Sequence, residues 1–352
     1  MNRGKPQKFP ALAEQILRSV RESGLAEGSR LPSERELARR YDCSHLTVRK
    51  ALKVLAGQGI LHARPGCGCF LGPAGQSHET RRSDLIGFIF PDDEIFYYRI
   101  FAEVEKMAAS NGLHPVVHLT GGSVRKENEL LDYFERAGAP ALIAVPNRLC
   151  AERYRRLQCP ALFFDMRLPE LSIPQIISDD HSGALSAVEQ LILLGHTRIA
   201  HIGIRYDYTG EQRLNGYLDA LRKYGLPVSR PLIRMNYPSR EWGYHAAREL
   251  FELKRPPTAV FCANDTIAAG VIGFCSDRGI AVPEQFSVTG FGDTPTAEYL
   301  DLSSVSQNAE QISGAICSNL LKLFNGEEIP PLTVIPTSAV SRGSVCPPRK
   351  IR

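Results

Sequence analysis

From residue 84 onward, short runs rich in Val, Ile and Phe alternate with amphipathic stretches, and this alternation restricts the fold more than any other feature. The runs are Leu85–Phe90, Pro115–Leu119, Ala141–Val145, Ala161–Phe164, Arg198–Gly203, Ala259–Cys262 and Ser287–Gly290. The amphipathic stretches include 97–110, 181–194, 211–224, 243–253 and 265–278. Strand–helix–strand alternation at this spacing predicts α/β architecture with doubly wound parallel sheets. There are too many runs for one sheet, so two lobes are expected. No repeat at solenoid periods is present.

The chain has 352 residues, a length that fits about two or three domains. With 43% apolar and 23% charged residues it is not a disordered polymer. The longest stretch free of Asp, Glu, Lys and Arg, Met107 to Val124, is interrupted by Asn111-Gly112, Pro115 and Gly121-Gly122, which excludes a membrane helix there. The N-terminus, MNRGKPQKFP, lacks the apolar run of a signal peptide. Nine cysteines, an odd number scattered from Cys43 to Cys346, suit a reduced compartment, and a cytoplasmic location is expected.

Charge is divided unevenly. Residues 1–82 hold 15 Lys/Arg against 7 Asp/Glu, a net of +8, whereas residues 83–352 hold 27 against 31, a net of −4. A basic head on a mildly acidic body suggests that the head meets a polyanion. Between them residues 72–83, GPAGQSHETRRS, have no apolar periodicity and read as an exposed linker. The expected division is a DNA-binding domain at 1–75, a linker at 76–83 and a two-lobed body at 84–343. Its N-lobe is placed at about 84–177 plus 307–326, its C-lobe at about 178–306 plus 329–343.

In the head, Leu12, Ile16, Leu17 and Val20 form one helical stripe over residues 10–23, ended by Gly24. Ser33 with Glu36 three residues later reads as a capping box opening a second helix that runs to about Tyr41. A third helix starts at the N-cap Ser44. Val48, Ala51, Leu52 and Leu55 share its core face, and His45, Arg49 and Lys53 follow at i, i+4, i+8 on a neighbouring face. That basic outer face suits a major groove, although a solvated charged face is the commoner meaning of a single basic row. Next, Ile60–Ala63, Arg64-Pro65-Gly66-Cys67-Gly68 and Cys69–Leu71 read as a hairpin wing. Its glycines allow close approach to a sugar-phosphate chain, and Arg64 is placed to enter the minor groove.

Residues 9–72 resemble the winged helix-turn-helix of the GntR family of bacterial transcription regulators. The residues that carry the likeness are Leu31-Pro32-Ser33-Glu34-Arg35-Glu36-Leu37-Ala38, Ser44, Thr47-Val48-Arg49, Ala51-Leu52, Leu55, Gly59, Gly66-x-Gly68 and Phe70. The resemblance implies DNA contacts from Arg35, Ser44, Thr47, Arg49 and Gly66. Two positions depart from it: His45 stands where the family usually has Arg or a similar polar residue, and Cys69 where it usually has Thr. A neutral His45 cannot make the bidentate guanine contact of an Arg.

In open α/β sheets, ligands sit beyond the C-terminal strand ends. Just past the expected strands lie Pro91-Asp92-Asp93, Asp165-x-Arg167, Asp179, Asn264-Asp265 and Asp293. Carboxylates, amides and an Arg beside aromatics suit a neutral polyol or sugar. The body resembles the effector module of LacI-type repressors, which is similar to a periplasmic sugar-binding protein. The likeness is carried by Ile86-Gly87-Phe88-Ile89-Phe90-Pro91, Ser178-Asp179-Asp180, Leu194-Gly195-His196-x-Arg198-Ile199-Ala200, Arg213-x-x-Gly216-Tyr217, Ala263-Asn264-Asp265 and Ser287-Val288-x-Gly290-Phe291-Gly292-Asp293. It implies two lobes joined by three crossings, ligand in the cleft and dimerised N-lobes. It also implies effector contacts from Arg213, from the paired aromatics Phe96 and Tyr97, from Gln307, and from Trp242, the sole Trp, stacked on the ligand. Packing between lobes is the alternative for Trp242, a surface ion pair for Arg213, and helix core for Phe96 and Tyr97. Gly292 stands where the family commonly has Asp, and Glu94 where it has Asn. Loss of the first removes a hydroxyl acceptor and points to a modified, acidic or smaller sugar, with Asp293 as a substitute.

These readings converge on a ligand-responsive DNA-binding regulator that binds an inverted-repeat operator as a homodimer. The alternatives are an enzyme, or a carbohydrate-binding module, fused to a DNA-binding head. The sequence contains no G-x-S-x-G, H-E-x-x-H, P-loop or strand-borne G-x-G-x-x-G. Cys67-x-Cys69 has no second pair, and His181, His196 and His201 lack ligand spacing. No catalytic residue, metal site or cofactor is therefore expected.

Overall fold

A computed structural model of the chain describes residues 9–23, 25, 29–57, 59–64, 68–72, 84–205 and 208–349. The chain divides into two compact units, Met1–Arg82 and Ser83–Arg352. Most of the expected linker, from residue 73 to residue 83, lies outside the described residues.

The first unit carries three helices, α1 (Phe9–Glu22), α2 (Glu34–Arg40) and α3 (His45–Gly57), then the antiparallel hairpin β1 (Leu61–Arg64) and β2 (Gly68–Leu71). Leu12 and Ile16 of α1, Leu37 of α2 and Val48, Ala51, Leu52 and Leu55 of α3 close one small core with Leu31 and Leu61. The capping box at α2 is formed: Ser33 Oγ accepts from the Glu36 amide at 3.3 Å, and Glu36 Oε2 accepts from the Ser33 amide at 2.7 Å. Each side chain thus satisfies a backbone N–H that the first helical turn leaves without a partner.

The second unit holds two parallel sheets. The first joins β3 (Leu85–Phe90), β4 (His114–Leu119), β5 (Ala141–Ala144), β6 (Ala161–Phe164), β7 (Gln175–Ser178) and β13 (Leu332–Ile335) in the order β13-β7-β6-β5-β3-β4. The second joins β8 (Ile199–Ile204), β9 (Ile233–Asn236), β10 (Ala259–Cys262) and β11 (Ser287–Thr289) in the order β11-β10-β8-β9. Strands β12 (Ser304–Ser306) and β14 (Ser338–Val340) pair antiparallel where the chain passes between the lobes. The first lobe carries α4 (Ile95–Ser110), α5 (Val124–Arg136), α6 (Ala151–Arg155) and α12 (Ala309–Asn325). The second carries α7 (Asp180–Leu193), α8 (Tyr208–Lys223), α9 (Arg240–Phe251), α10 (Asp265–Asp277) and the short α11 (Pro295–Tyr299).

Central strands covered on both faces are buried along their length, as in Ile86, Phe88 and Phe90 of β3, which pack on Ile100 and Val104 of α4 and Ile312 and Ile316 of α12. One expected lobe boundary is corrected. Residues 329–343 were assigned to the second lobe, but Leu332–Ile335 pairs in parallel with Gln175–Ser178 at the edge of the first sheet. An edge strand buries one face only, and in the apolar run LTVI Val334 is half exposed while Ile335 is buried, so the run by itself does not say which sheet it joins.

Candidate functional site

Two sets of side chains fall where the sequence predicts function: the outer face of α3 and the cleft between the two lobes of the second unit.

On α3, His45, Arg49 and Lys53 are exposed while Val48, Ala51, Leu52 and Leu55 are buried, as one narrow apolar stripe requires. Ser44 caps the helix by accepting from the Thr47 amide at 3.2 Å, and the Ser44 and Thr47 hydroxyls lie 2.8 Å apart. Arg49 is held in a fork by Glu34 of α2, with Nε 3.2 Å from both carboxylate oxygens and Nη2 2.9 Å from Oε2. Arg35 is exposed on α2. Sequence reasoning passed over Leu46, which is 62% exposed within this basic face. Gly66 lies outside the described residues, as does the side chain of Arg64, whose backbone pairs with Gly68.

The cleft encloses about 520 Å³ of empty space, open solvent included, and lies at the C-terminal ends of the strands of both sheets. From the first lobe come Asp92 and Glu94 after β3, Phe96 and Tyr97 in the first turn of α4, and Asp165 after β6. Asp165 takes φ 59°, a left-handed conformation that turns its carboxylate toward two donors. The Tyr97 hydroxyl donates to Oδ2 at 3.1 Å, and Gln307 Nε2 donates to Oδ1 at 3.2 Å.

From the second lobe come Ile204 at the end of β8, Thr209 and Arg213 of α8, Asn264 to Thr266 after β10, and Phe291, Gly292 and Thr294 after β11. Arg213 is 4% exposed. Its Nε donates to Asp180 Oδ1 at 2.8 Å, Nη2 lies 2.7 Å from the same oxygen, and Nη1 donates to the Ala263 carbonyl at 2.7 Å. The guanidinium carbon sits 3.9 Å above the centre of the Phe291 ring. Beneath it, His201 stacks between Tyr217 and Phe261, and burial lowers its pKa to about 4. It is therefore a neutral core residue at physiological pH.

Glu94 reaches from the first lobe to the second. Asn264 Nδ2 donates to its Oε1 at 3.0 Å and the Thr266 hydroxyl to its Oε2 at 3.5 Å. Burial, reinforced by the charge of Asp92, pushes its carboxyl up to about 7. Asn264 at the same time caps α10 by accepting from the Ile267 amide at 2.8 Å. A further interlobe bond runs from Arg99 of α4 to the Asp293 carbonyl at 3.0 Å.

Four of the expected effector residues are placed elsewhere. Asp179 caps α7, accepting from the Ser182 amide at 3.1 Å, and it is the next residue, Asp180, that meets Arg213. Asp293 does not substitute at the cleft, because its carboxylate is paired with Arg342 at 2.7 Å. Trp242 packs on the core of the second lobe, its indole N–H 3.4 Å from the Gly203 carbonyl, and is not among the cleft-lining residues. Arg167 is exposed outside the lining and interacts with the Tyr208 hydroxyl. Gly292 has φ 120°, a backbone that disfavours any side chain, so the fold itself accounts for the missing Asp. The sequence reading placed Asp265 past a strand end without assigning it an effector contact, and it assigned none to Asp180, Thr266, Phe291 or Thr294. All but Phe291 are short polar residues at strand ends, and only the packing shows which of them turn inward.

Asp265, 1% exposed, accepts from the Thr294 amide at 2.8 Å, the Thr294 hydroxyl at 3.0 Å and the Ser304 hydroxyl at 2.6 Å. It ties the loop after β11 to the crossing strand β12. Among the described residues, no group of three or more His, Cys, Asp or Glu is arranged to hold a metal ion, and no helix is long and apolar enough to cross a membrane.

Comparison with known proteins agrees with this architecture. Residues 10–71 match the model of the bacterial regulatory proteins of the gntR family, and residues 188–345 match that of the periplasmic binding protein-like domain. The arabinose metabolism transcriptional repressor of Geobacillus stearothermophilus is 27% identical over 340 residues, covering 92% of each chain. The HTH-type transcriptional regulator GalR of Salmonella typhimurium is 30% identical over 266 residues, 74% of each chain. The crystal structure of the transcription regulator CcpA of Lactococcus lactis shares the fold of the body, with a TM-score of 0.69 at 23% identity over 75% of this chain and all of that one.

Proposed function

We propose that this chain, which belongs to the bacterial transcription regulators that combine a GntR-type helix-turn-helix with a periplasmic-binding-protein-like body, is a repressor whose operator affinity is set by a carbohydrate effector held between its lobes. The observation that carries this reading is the cleft itself. Asn264, Arg213, Asp165 and Gln307 converge with Phe96, Tyr97 and Phe291 on one polar cavity, on a polypeptide whose other unit presents a basic helix face. Hydroxyls both donate and accept, and apolar sugar faces suit the aromatic rings. The Geobacillus relative, named for arabinose metabolism, supports a carbohydrate.

The head binds DNA through α3, with His45, Arg49 and Lys53 facing the major groove, Arg64 entering the minor groove, and Arg35, Ser44, Thr47 and Gly66 positioning the head on the backbone. A homodimer working in the cytoplasm binds an inverted repeat, because operator symmetry mirrors protein symmetry. Effector closes the lobes and releases the operator. The coupling is about 1–3 kcal/mol and reciprocal: operator weakens effector binding by the same factor that effector weakens operator binding.

The test begins with selection of duplexes from a random pool by the full chain, which enriches an inverted repeat. Operator affinity is then measured at fixed salt with and without a sugar found by thermal shift. A roughly fivefold or greater loss of affinity is expected. No enriched site removes the regulator reading, and equal affinities remove the coupling while leaving both sites intact.

A further inference from the structure

The charge around the cleft narrows the ligand class. Carboxylates enter its lining from both lobes, with Asp92, Glu94 and Asp165 from the first and Asp265 from the second. Among the described residues, the one cationic side chain in the lining is Arg213. That guanidinium is already matched by Asp180, the Ala263 carbonyl and the face of Phe291. An anionic ligand would have to share its charge with Asp180, 2% exposed, whose carboxylate already takes two of its donors. Arg99 and Arg167 lie outside the lining, engaged with the Asp293 carbonyl and the Tyr208 hydroxyl.

Asp265 is occupied by the fold: burial raises its pKa, but three hydrogen bonds from Thr294 and Ser304 oppose that, and it sits in the first turn of α10, where the helix dipole favours negative charge. Glu94 differs. Its hydrogen-bond partners Asn264 and Thr266 are neutral, burial shields it from water, and Asp92 and Asp265 are like-charged neighbours, with Arg213, itself paired with Asp180, the one cation among the described residues acting on it. A carboxylate so placed gains most from a cation. A neutral sugar leaves the excess of negative charge as it is, and a sugar acid or phosphate adds to it.

We propose that the effector is an amino sugar, its ammonium group seated beside Glu94 and Asp92 and its ring against the aromatic residues of the cleft. Glu94 is then the residue that sets specificity, and the uncharged Asn that LacI-type sequences carry there would not make this selection. The acidic sugar allowed by the sequence reading is the ligand this cleft rejects. The proposal rests on the carbohydrate reading above and specifies its charge.

The experiment titrates the full chain, at neutral pH and fixed ionic strength, with matched sets: glucosamine, glucose and glucuronate, then galactosamine, galactose and galacturonate. Binding is read by calorimetry and by thermal shift. In at least one set the amine is expected to bind at least tenfold more tightly than the neutral sugar and the acid to bind weakest. In Glu94→Gln, which keeps the size and the hydrogen-bonding capacity, the preference for the amine over the neutral sugar should shrink toward unity. A neutral sugar or an acid binding as tightly as the amine overturns the proposal and leaves the carbohydrate cleft standing. A Glu94→Gln chain that keeps the wild-type preference also overturns it. If none of the six binds, the proposal falls; the carbohydrate reading falls with it only if a thermal-shift screen of neutral sugars, arabinose included, also finds none. Should Glu94→Gln fold poorly, the wild-type comparison still decides.

Discussion

Arg213 was expected from the sequence as an effector clamp, and in the folded chain it is first of all half of a buried ion pair. The pair with Asp180 holds α8 to the start of α7, and Nη1 fastens both to the end of β10. Removing one partner of a buried pair leaves an uncompensated charge and costs about 3–5 kcal/mol. Arg213→Ala is therefore expected to lower the unfolding free energy of the ligand-free protein by that amount, read as a lower midpoint in urea at unchanged m. A loss of effector binding by this variant must be read against that loss of stability. An undiminished midpoint would show that the pair contributes nothing net to the fold. Glu94 makes the opposite kind of prediction. Its folded pKa, about 7, lies above the ordinary 4.5, so between these values the folded chain holds a proton that the unfolded chain has released. Stability from this group is then lost as pH rises from about 4.5 to about 7, and is flat above that window. Glu94→Gln should remove the decline, gaining on the order of 1–3 kcal/mol at about pH 8 and little at about pH 5. Melts at the two pH values check it, and a gain equal at both would mean that ionisation is not the cause.

At the scale of elements, helix termini aim the site. Glu94 at the head of α4, Asn264 and Asp265 at the head of α10 and Arg213 two turns into α8 all follow a strand of a parallel sheet, so the strand ends deliver them to one side. This was legible: strand-then-polar-residue is visible at Asp92, Asp165 and Asn264, and each of them lines the cleft. Helix rotation was not legible. Asp179 and Asp180 are adjacent, yet one caps α7 and the other meets Arg213, a difference set by about 100° of turn per residue. The same rotation turns Trp242, early in α9, onto the core of the second lobe. Saturating effector should therefore leave the Trp242 emission maximum close to its unliganded position. A large shift would place the indole against ligand.

At the scale of the whole molecule, the uneven charge sets the response to salt. A head of net +8 that lays Arg35, Arg49, Lys53 and Arg64 along DNA displaces counterions, so log affinity should fall steeply and linearly with log salt concentration. A flat response in a filter or anisotropy titration would mean that the basic face does not lie on the phosphates. Arg49, held by Glu34 in the free protein, must leave that fork or share it to contribute.

Periodicity, caps and strand-end polarity were properties of the sequence alone, because they depend on neighbours within a turn or a strand. The three helices of the head, the capping box at Ser33, the parallel α/β texture and the side of the sheets on which the cleft lies all followed from them. Partners distant in the chain were decided by tertiary structure. Leu332–Ile335 joins the first sheet through Gln175–Ser178, Asp293 is taken by Arg342, and Glu94 crosses the cleft to Asn264. Each of these depends on which of several polar or half-apolar candidates comes within about 3 Å of a complementary group, a distance that only the packed chain sets. The charge of the cleft belongs to the same class. The acidic residues are plain in the sequence, but that the cation among them is already neutralised is a fact of burial and contact.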